Sequence, residues 1–259
     1  MYYARILTNY GVVRSYAAKK YKVLCIYSKP QKTRRECKFT PKGLAGNDRK
    51  LENNLSRTRA RVFELAYCNP WEYYVTLTLD RQKYDRHNLE QYRKDLSQYI
   101  RDFRKKSKKA DLKYLFVPEK HKDGSWHMHG FLVGLPPSEL REFTLSDHLP
   151  YAIRNRLLQG KHIYTWEAYA HKFGFTSIER IDNGEAASKY ITKYITKDAM
   201  RTMTALNAHI FYASKGLQGS EIVVKDILAK EIENPDYFND RVAVKWCNTP
   251  TEATAYFDA

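Results

Sequence analysis

Two β-like runs separated by a short polar turn constrain this chain more than any other feature of its sequence. The first run covers residues 113–120, the second covers residues 126–133, and Asp123-Gly124 lies between them. Runs of this composition on either side of an Asp-Gly pair are typical of a β-hairpin. We therefore predict an antiparallel hairpin at this point of the chain.

The second of these strands carries two histidines, His127 and His129, on either side of Met128. Side chains alternate between the two faces of a strand, so both imidazoles lie on the same face. A single divalent ion could then meet both rings, although two histidines on a strand surface also occur without any metal. The pattern makes His127 and His129 candidate metal ligands.

The length of the hairpin turn decides whether Glu119 joins the two histidines. A two-residue turn would set Glu119 on the face opposite to them. A three-residue loop over residues 122–124, with Gly124 in the left-handed conformation, instead pairs Glu119 with His127. On this geometry Glu119 is the candidate third ligand, and the alternative is that it is only an exposed hairpin residue.

One carboxylate and two neutral imidazoles leave coordination positions open around a divalent ion. A hard ion such as Mg²⁺ or Mn²⁺ could use those positions to hold a phosphate oxygen. Zinc is the competing use of the same ligand types. The sequence thus predicts a divalent metal cofactor, Mg²⁺ or Mn²⁺, and leaves zinc open.

A four-residue unit, Tyr-Ile-Thr-Lys, occurs twice in succession over residues 190–197. Asp182, with Glu185 three residues later, is typical of a capping box and predicts a helix from about residue 183 to residue 197. The residues that would share one face of this helix are Tyr190, Lys193, Tyr194 and Lys197. The alternative is a helix whose tyrosines pack in the core and whose lysines are solvated.

A tyrosine hydroxyl has an ordinary pKa near 10, so it is a poor nucleophile at neutral pH unless a base, a metal or a cation favours the phenolate. Lys193 or Lys197 could supply that cation and could also bind a phosphate group. Tyr190 and Tyr194 are therefore candidate catalytic nucleophiles, with the two lysines as candidate partners.

The charge balance of the chain favours a polyanionic partner. Lys and Arg outnumber Asp and Glu by 45 to 29, which gives a formal net charge of +16. Charge alone does not distinguish DNA from RNA. The residues that we expect to bind DNA are Arg101, Arg104, Lys105, Lys106 and Lys215. For the run that starts at Arg101, a solvated helix end is the alternative.

Several patterns that would indicate other classes of protein are absent from the sequence. The cysteines have no zinc-type spacing and follow no secretory signal, which favours reduced thiols and a cytoplasmic location. No apolar run approaches the roughly 18 residues that a membrane-spanning helix needs. No phosphate-binding loop of the Gly-Lys-Ser/Thr type is present, so we expect no fused helicase. The four cysteines are Cys25, Cys37, Cys68 and Cys247.

The remaining periodicity predicts one catalytic domain with peripheral additions. Amphipathic helices are expected over residues 51–68 and 89–103, with a strand over residues 73–80 between them. The domain organisation that we predict is a basic extension of uncertain structure over residues 1–50, a catalytic domain over residues 51–220, and a flanking extension over residues 221–259.

Three stretches of the chain, in order, resemble the three motifs of HUH endonucleases. They are YYVTLTLD at residues 73–80, WHMHGFLVG at residues 126–134, and KYITKYITK at residues 189–197. The doubled tyrosine is most similar to the two-tyrosine replication initiators (Rep) of small circular single-stranded DNA phages and of related plasmids or integrated elements. The resemblance spans roughly residues 51–220.

The resemblance implies an α+β fold with a central antiparallel sheet and packed helices, related to the ferredoxin-like arrangement. It implies a rolling-circle replication initiator that nicks and rejoins single-stranded DNA at an origin through a 5′-phosphotyrosine, with both tyrosines serving in turn. Glu119, His127 and His129 would hold the metal. No nucleotide cofactor is required, and a host helicase and polymerase would be the protein partners.

Three other functions remain open on the sequence. A plasmid-transfer relaxase or a transposase would use the same nicking and joining chemistry on another substrate. A non-catalytic DNA-binding regulator would need only the positive charge. A hydrolytic metallonuclease would use water in place of a tyrosine.

Overall fold

The strand and helix patterns of the sequence fold into an α+β structure that contains two antiparallel sheets. The computed structural model describes residues 9–16, 20–27, 48–106, 111–205, 208–238 and 242–257. The strands are β1 Asn9–Tyr16, β2 Lys20–Tyr27, β3 Tyr73–Thr78, β4 Lys113–Lys120, β5 Trp126–Val133, β6 Leu140–Glu142, β7 Tyr164–Trp166, β8 Thr176–Arg180, β9 Tyr212–Ala213, β10 Glu221–Ile227, β11 Tyr237–Phe238 and β12 Val242–Cys247. The helices are α1 Asp48–Tyr67, α2 Leu89–Lys106, α3 Tyr151–Leu158, α4 Glu167–Lys172, α5 Gly184–Ile191, α6 Lys197–Ala205 and α7 Pro250–Thr254.

The chain divides into two units, and the larger one comprises residues 42–217. Its seven-stranded sheet has the order β6-β7-β8-β3-β5-β4-β9, and every pair of neighbours is antiparallel. This architecture confirms the expected fold class and is consistent with the HUH endonuclease fold.

One face of this sheet is covered by the apolar side of α2. The helix is amphipathic because its apolar residues recur at helical spacing, and the five that become buried are Leu89, Tyr92, Leu96, Ile100 and Phe103. They pack in one cluster with Val75 and Leu77 of β3. The alternate residues of β3 therefore point to the other face of the sheet.

On that other face, α1, α5 and α6 pack against the centre of the sheet. Leu115, Val117 and Phe131 from β4 and β5 lie in a second buried cluster with apolar residues of these helices. Ile191 and Ile195 are fully buried in the same cluster. The burial of the two isoleucines holds the repeated Tyr-Ile-Thr-Lys segment against the sheet.

The hairpin of β4 and β5 has the register predicted from a three-residue loop. Glu119 pairs with His127, and the His121 amide donates to the Ser125 carbonyl at 2.9 Å, so residues 122–124 form the loop. Gly124 has a φ of +84°, in the left-handed region that glycine adopts without strain. The hairpin prediction is therefore confirmed, together with the placement of Glu119 on the face of the histidines.

The continuous helix predicted over residues 183–197 is wrong. Helix α5 ends at Ile191, Thr192–Tyr194 form a 3-10 turn, and a new helix begins at Lys197. Ile195 leaves the helical conformation, with φ −91° and ψ 84°, and its carbonyl oxygen accepts a 2.7 Å hydrogen bond from Nε of Arg59. This partner on α1 takes the place of a continuing helical hydrogen bond.

The start of α5 also differs from the predicted capping box. The N-cap residue is Asn183, whose Oδ1 accepts a hydrogen bond from the Ala186 amide at 3.0 Å. The cap therefore lies one residue after Asp182. Asparagine caps a helix as well as aspartate does, so the sequence pattern fitted two neighbouring registers.

The smaller unit joins residues 1–41 with residues 218–259. Its five-stranded sheet has the order β10-β1-β2-β12-β11, so β1 and β2 pair with strands that lie about 200 residues later in the chain. The buried cluster of this unit contains Val23, Leu228 and Cys247, with Ala253 of α7. The two flanks that the sequence analysis treated separately thus contribute to one sheet.

The cysteines and the hydropathy of the helices add two observations. Cys68 and Cys247 are buried free thiols, whereas Cys37 and the basic cluster at residues 32–38 lie outside the described residues. Within the described part of the chain, no helix combines the length and the apolar character that crossing a membrane requires.

Candidate active site

The candidate site lies where β3, β5 and β4 adjoin, on the face of the large sheet opposite to α2. The register places Thr76 beside His129 and Thr78 beside His127 on the two central strands. On the other side of β5, Glu119 lies beside His127. Polar side chains of three neighbouring strands therefore converge, because each occupies the same face of its strand.

The two threonines of β3 orient the two histidines of β5. Oγ1 of Thr76 lies 3.1 Å from Nδ1 of His129, and Oγ1 of Thr78 lies 3.2 Å from Nδ1 of His127. A histidine that binds a metal through Nε2 keeps a proton on Nδ1, and a fixed acceptor for that proton sets the tautomer and the ring orientation. Both threonine hydroxyls can act as that acceptor.

Glu119 accepts from two imidazoles at its Oε2. Nε2 of His129 lies 2.7 Å away, and Nε2 of His121 lies 3.4 Å away. These three side chains offer ligand atoms that all lie within 4.8 Å of one another, so together they can hold a metal ion. The hydrogen bond from His129 also holds the pKa of the Glu119 carboxyl below its ordinary value.

His121 is a member of this group that the sequence analysis did not single out. It follows Glu119 by two residues, and the β4–β5 pairing continues to His121 and Ser125. Alternation along the strand therefore places His121 on the same face as Glu119. That spacing is the signal that could have identified it.

His127 lies beside the group and is not one of its three members. Its ring stacks on that of His121, with the centroids 3.7 Å apart and the planes 5° apart. Burial, with smaller contributions from His121 and His129, lowers the pKa of His127 to about 4. The ring is therefore neutral at physiological pH, and its role as a metal ligand stays a prediction.

The three members of the group suit a divalent ion in their chemistry and their access to solvent. They supply one carboxylate and two imidazoles, which are ligands that Mn²⁺, Mg²⁺ and Zn²⁺ all accept to different degrees. The side chains of His121 and Glu119 are 44% and 38% exposed, whereas that of His129 is 9% exposed. An ion held there could therefore also bind a phosphate oxygen from the solvent side. The identity of the metal is not fixed by this donor set.

Tyr194 lies directly against the candidate metal ligands. Its ring stacks on that of His129, with the centroids 4.0 Å apart and the planes 6° apart. The Tyr74 hydroxyl donates to the Tyr194 hydroxyl at 3.2 Å. Burial is the largest cause of the raised pKa of Tyr194, and the hydrogen bond to Tyr190 adds to it.

Tyr190 has a different environment, although it lies one repeat earlier. Its side chain is more open, with the residue 46% exposed. Nζ of Lys193 lies 3.5 Å from the centroid of the Tyr190 ring. Burial alone would raise the pKa of Tyr190, but hydrogen bonds with Lys193 and Tyr194 and the charges of Lys193 and Arg156 bring the pKa below its ordinary value.

The structure brings Lys193 to the two tyrosines but places Lys197 elsewhere. Nζ of Lys193 lies over both rings, 4.7 Å from the centroid of Tyr194. Lys197 is the first residue of α6, and its Nζ donates to Glu52 at 2.7 Å. The break in the helix removes Lys197 from the face that the sequence analysis had assigned to all four side chains.

The basic residues expected to bind DNA have different surroundings. Nε of Arg104 donates to the Leu112 carbonyl at 2.7 Å, which ties α2 to the start of β4. Arg101 is exposed and donates to Gln98 of its own helix at 2.6 Å. The exposed cations among the remaining three are Lys105, Lys106 and Lys215. All five stay predictions as DNA contacts.

Besides His121, the sequence analysis did not single out three side chains of β3 that contact the predicted site residues: Tyr74, Thr76 and Thr78. They occupy alternate positions of the strand that resembles the first HUH motif. Their even spacing could have predicted a common face, but only the pairing of β3 with β5 identifies what they contact.

One family model matches the chain over residues 72–199, that of a replication-associated protein of the ORF2 type. The match covers just under half of the chain and includes β3, the β4–β5 hairpin and both tyrosines of the repeat. It supports a replication initiator and, with it, binding to DNA. No curated protein and no solved structure matches the chain.

Proposed function

We propose that this chain initiates rolling-circle replication as a two-tyrosine HUH endonuclease that nicks and rejoins single-stranded origin DNA. The observation that carries the proposal is the contact between the two halves of the site. Tyr194 stacks on His129, a candidate metal ligand, and Lys193 lies over both Tyr190 and Tyr194. Two phenols, a cation and a group able to hold a metal therefore share one surface.

Tyr190 is the better candidate for the first attack. It is the more exposed of the two phenols, and Lys193 favours its phenolate. Its phenolate oxygen would form a bond to phosphorus while the bond between phosphorus and the 3′ oxygen breaks. The phenol proton goes to solvent, and the released 3′ oxygen takes up a proton to become the hydroxyl from which a polymerase extends.

Glu119, His121 and His129 would hold the divalent ion, Mg²⁺ or Mn²⁺, with His127 as the alternative ligand predicted from the sequence. Such an ion draws charge from a non-bridging phosphate oxygen when it is bound. The threonines of β3 keep the imidazoles oriented towards that position, and the ammonium group of Lys193 adds a second positive charge beside the attacking phenol.

Tyr194 would carry the second half of the reaction. Rejoining is the same transesterification in reverse, so it needs no nucleotide cofactor. Tyr74 and His129 hold the Tyr194 phenol in a fixed place, which suits a nucleophile that acts on a second phosphate at the same site. A relaxase or a transposase would use the same residues, and the replication family matched by residues 72–199 favours the initiator.

The test is covalent capture of DNA by the purified protein. The full chain is incubated with Mn²⁺ and single-stranded oligonucleotides from its own replicon, and the adduct is followed by denaturing electrophoresis. The variants are Tyr190→Phe, Tyr194→Phe and the double change. Tyr151→Phe is the matched control, because Tyr151 is 78% exposed and lies on α3.

We expect an adduct with the wild type and with Tyr151→Phe, and none with the double variant. Cleavage that leaves a free 5′ phosphate without an adduct would instead indicate a hydrolytic nuclease that uses water. Tight binding of a verified origin without any cleavage would indicate a non-catalytic regulator.

A further inference from the structure

The smaller unit has a sheet with two different faces. On one face, Val23, Ala243 and Cys247 are buried with Ala253 of α7. The alternate residues of the same strands must point to the other face, because side chains alternate along a strand. That other face, which we call the basic face, is the subject of this inference.

The register of the sheet places a row of side chains across the basic face. Arg14 of β1 pairs with Lys22 of β2, which pairs with Trp246 of β12. The contact between Lys22 and Trp246 agrees with this placement, since Nζ lies 5.8 Å from the ring centroid. At the outer end of the row, Ile222 of β10 pairs with Arg14.

Positive charge is concentrated on this face. The same parity places Lys20 beside Lys22 on β2, and Lys225 of β10 lies on the same side because it pairs with Val12. Among the described residues of the unit, no acidic side chain of β1, β2, β10 or β12 has this parity. Four cations with no interspersed carboxylate attract a polyanion.

Aromatic and apolar groups lie among these cations. Tyr237 pairs with Val244, two residues before Trp246, and is 55% exposed. Ile222 and Ile227 on the edge strand are 53% and 56% exposed. A sheet face that combines cations with exposed aromatic rings suits an unpaired nucleic acid strand, because phosphates meet the cations while bases stack on the rings.

We propose that the basic face of the smaller unit binds single-stranded DNA through its phosphate backbone, as a second binding surface outside the candidate active site. The inference goes beyond the nicking reaction, because it concerns binding by a part of the chain that carries none of the proposed catalytic residues. Its failure and the failure of the proposed function can therefore be observed separately.

The test measures the affinity of the full chain for a 40-nucleotide single strand of mixed sequence at several salt concentrations. The test variant is Arg14→Gln with Lys22→Gln. The matched control is Lys230→Gln with Lys245→Gln, which removes two charges from the same unit without changing the basic face. Lys245 lies at the opposite parity of β12, and the Lys230 amide donates to the Tyr256 carbonyl.

We expect the test variant to bind about tenfold more weakly near 0.1 M salt, with the slope of log affinity against log salt reduced by about 1.4, or about 0.7 for each lost phosphate contact. The control should keep the wild-type affinity and slope. A charge-conserving variant, Arg14→Lys with Lys22→Arg, should also keep both, and this distinguishes lost charge from misfolding. An unchanged slope in the test variant would overturn the proposal.

Three further measurements assign the partner and separate the two proposals. Loss of affinity confined to duplex DNA of the same sequence would overturn the assignment to single strands, and loss on both forms would support a nucleic-acid surface. A change in sedimentation with unchanged DNA affinity would instead make the face a protein interface. Cleavage of a 12-nucleotide origin strand by the test variant should equal that of the wild type. If the wild type cleaves nothing, the proposed function fails while the binding result stands.

Discussion

At the scale of single residues, the two tyrosines of the repeat are chemically unequal. Tyr190 is open to solvent and has its pKa lowered by Lys193, whereas Tyr194 is stacked on His129 and has its pKa raised by burial. Identical sequence repeats thus give different environments, because helix α5 ends at Ile191, between the two tyrosines. This difference predicts an order of use, with Tyr190 first.

The first prediction concerns the pH dependence of adduct formation. Phenolate is the attacking form, so the rate of a single turnover should rise as pH approaches the pKa of Tyr190, which lies below the ordinary value. Lys193→Gln removes the nearest cation and should move this rise to higher pH. The rate is measured with Mg²⁺ over the range from neutral to alkaline pH, and a profile that does not move would show that Lys193 has no such effect.

The second prediction concerns the choice of metal ligands. His121→Ala should weaken Mn²⁺ binding by about tenfold to one hundredfold, because His121 belongs to the group of three. His127→Ala should have a smaller effect, since His127 stacks beside that group. Calorimetric titration of the metal alone measures both. The reverse order would favour the set predicted from the sequence, Glu119, His127 and His129.

Sequence reasoning reached the individual residues of the site unevenly. Glu119 and His129 followed from alternation and turn length, which are local properties of the hairpin. His121 has the same parity but lies in the turn region, where alternation is a weaker guide. Tyr74 could not be assigned from the sequence, because its contact with Tyr194 joins residues 120 positions apart.

At the scale of elements, the β4–β5 hairpin depends on the absence of a side chain at Gly130. A Cβ atom built there would lie 1.9 Å from the carbonyl oxygen of Leu115 on β4. The backbone of a paired strand cannot move away cheaply, so the two strands would have to separate.

The third prediction follows from that close approach. Gly130→Ala should destabilise the protein by about 3 kcal/mol, as overpacking does at a tightly packed site. Gly184→Ala is the matched control, because Gly184 lies in the first turn of α5 and has open space around its Cα. The free energy of unfolding is measured in urea. Equal stability of the two variants would show that β4 yields at this point.

The break after α5 is the element that sequence reasoning missed. Periodicity over residues 183–197 fits one helix, and beyond Gly184 in its first turn no proline or glycine interrupts it. The competing interactions come from α1, where Arg59 donates to the Ile195 carbonyl, and from the core that buries Ile195. Both are tertiary interactions, and local propensity does not contain them.

At the scale of the whole molecule, the smaller unit is assembled from segments far apart in the chain. The central strand β2 has β1 on one side and β12 on the other. Local strand patterns do not predict such pairing, since the segments are joined only by contacts of very long sequence separation. The α+β class was predictable because both the helical and the alternating periods are strong.

The fourth prediction concerns a chain truncated after Leu217. It lacks β10, β11 and β12, so β1 and β2 keep only each other, and a two-stranded hairpin is at best marginally stable in water. Backbone amides of β1 and β2 should exchange rapidly with deuterium, whereas those of β3, β4 and β5 stay protected. Mass spectrometry of peptic fragments measures both sets. Continued protection of β2 would contradict the dependence on β12.

The same pairing sets a timetable for synthesis on the ribosome. Roughly 200 residues separate the end of β2 from the start of β12, which takes about 10 to 40 s at the usual rates of translation. During this interval β1 and β2 have left the ribosome while the strands that complete their sheet do not yet exist. The first strands of the chain to be made are therefore among the last to become part of a finished sheet, and in the nascent chain their backbone edges are open to chaperones.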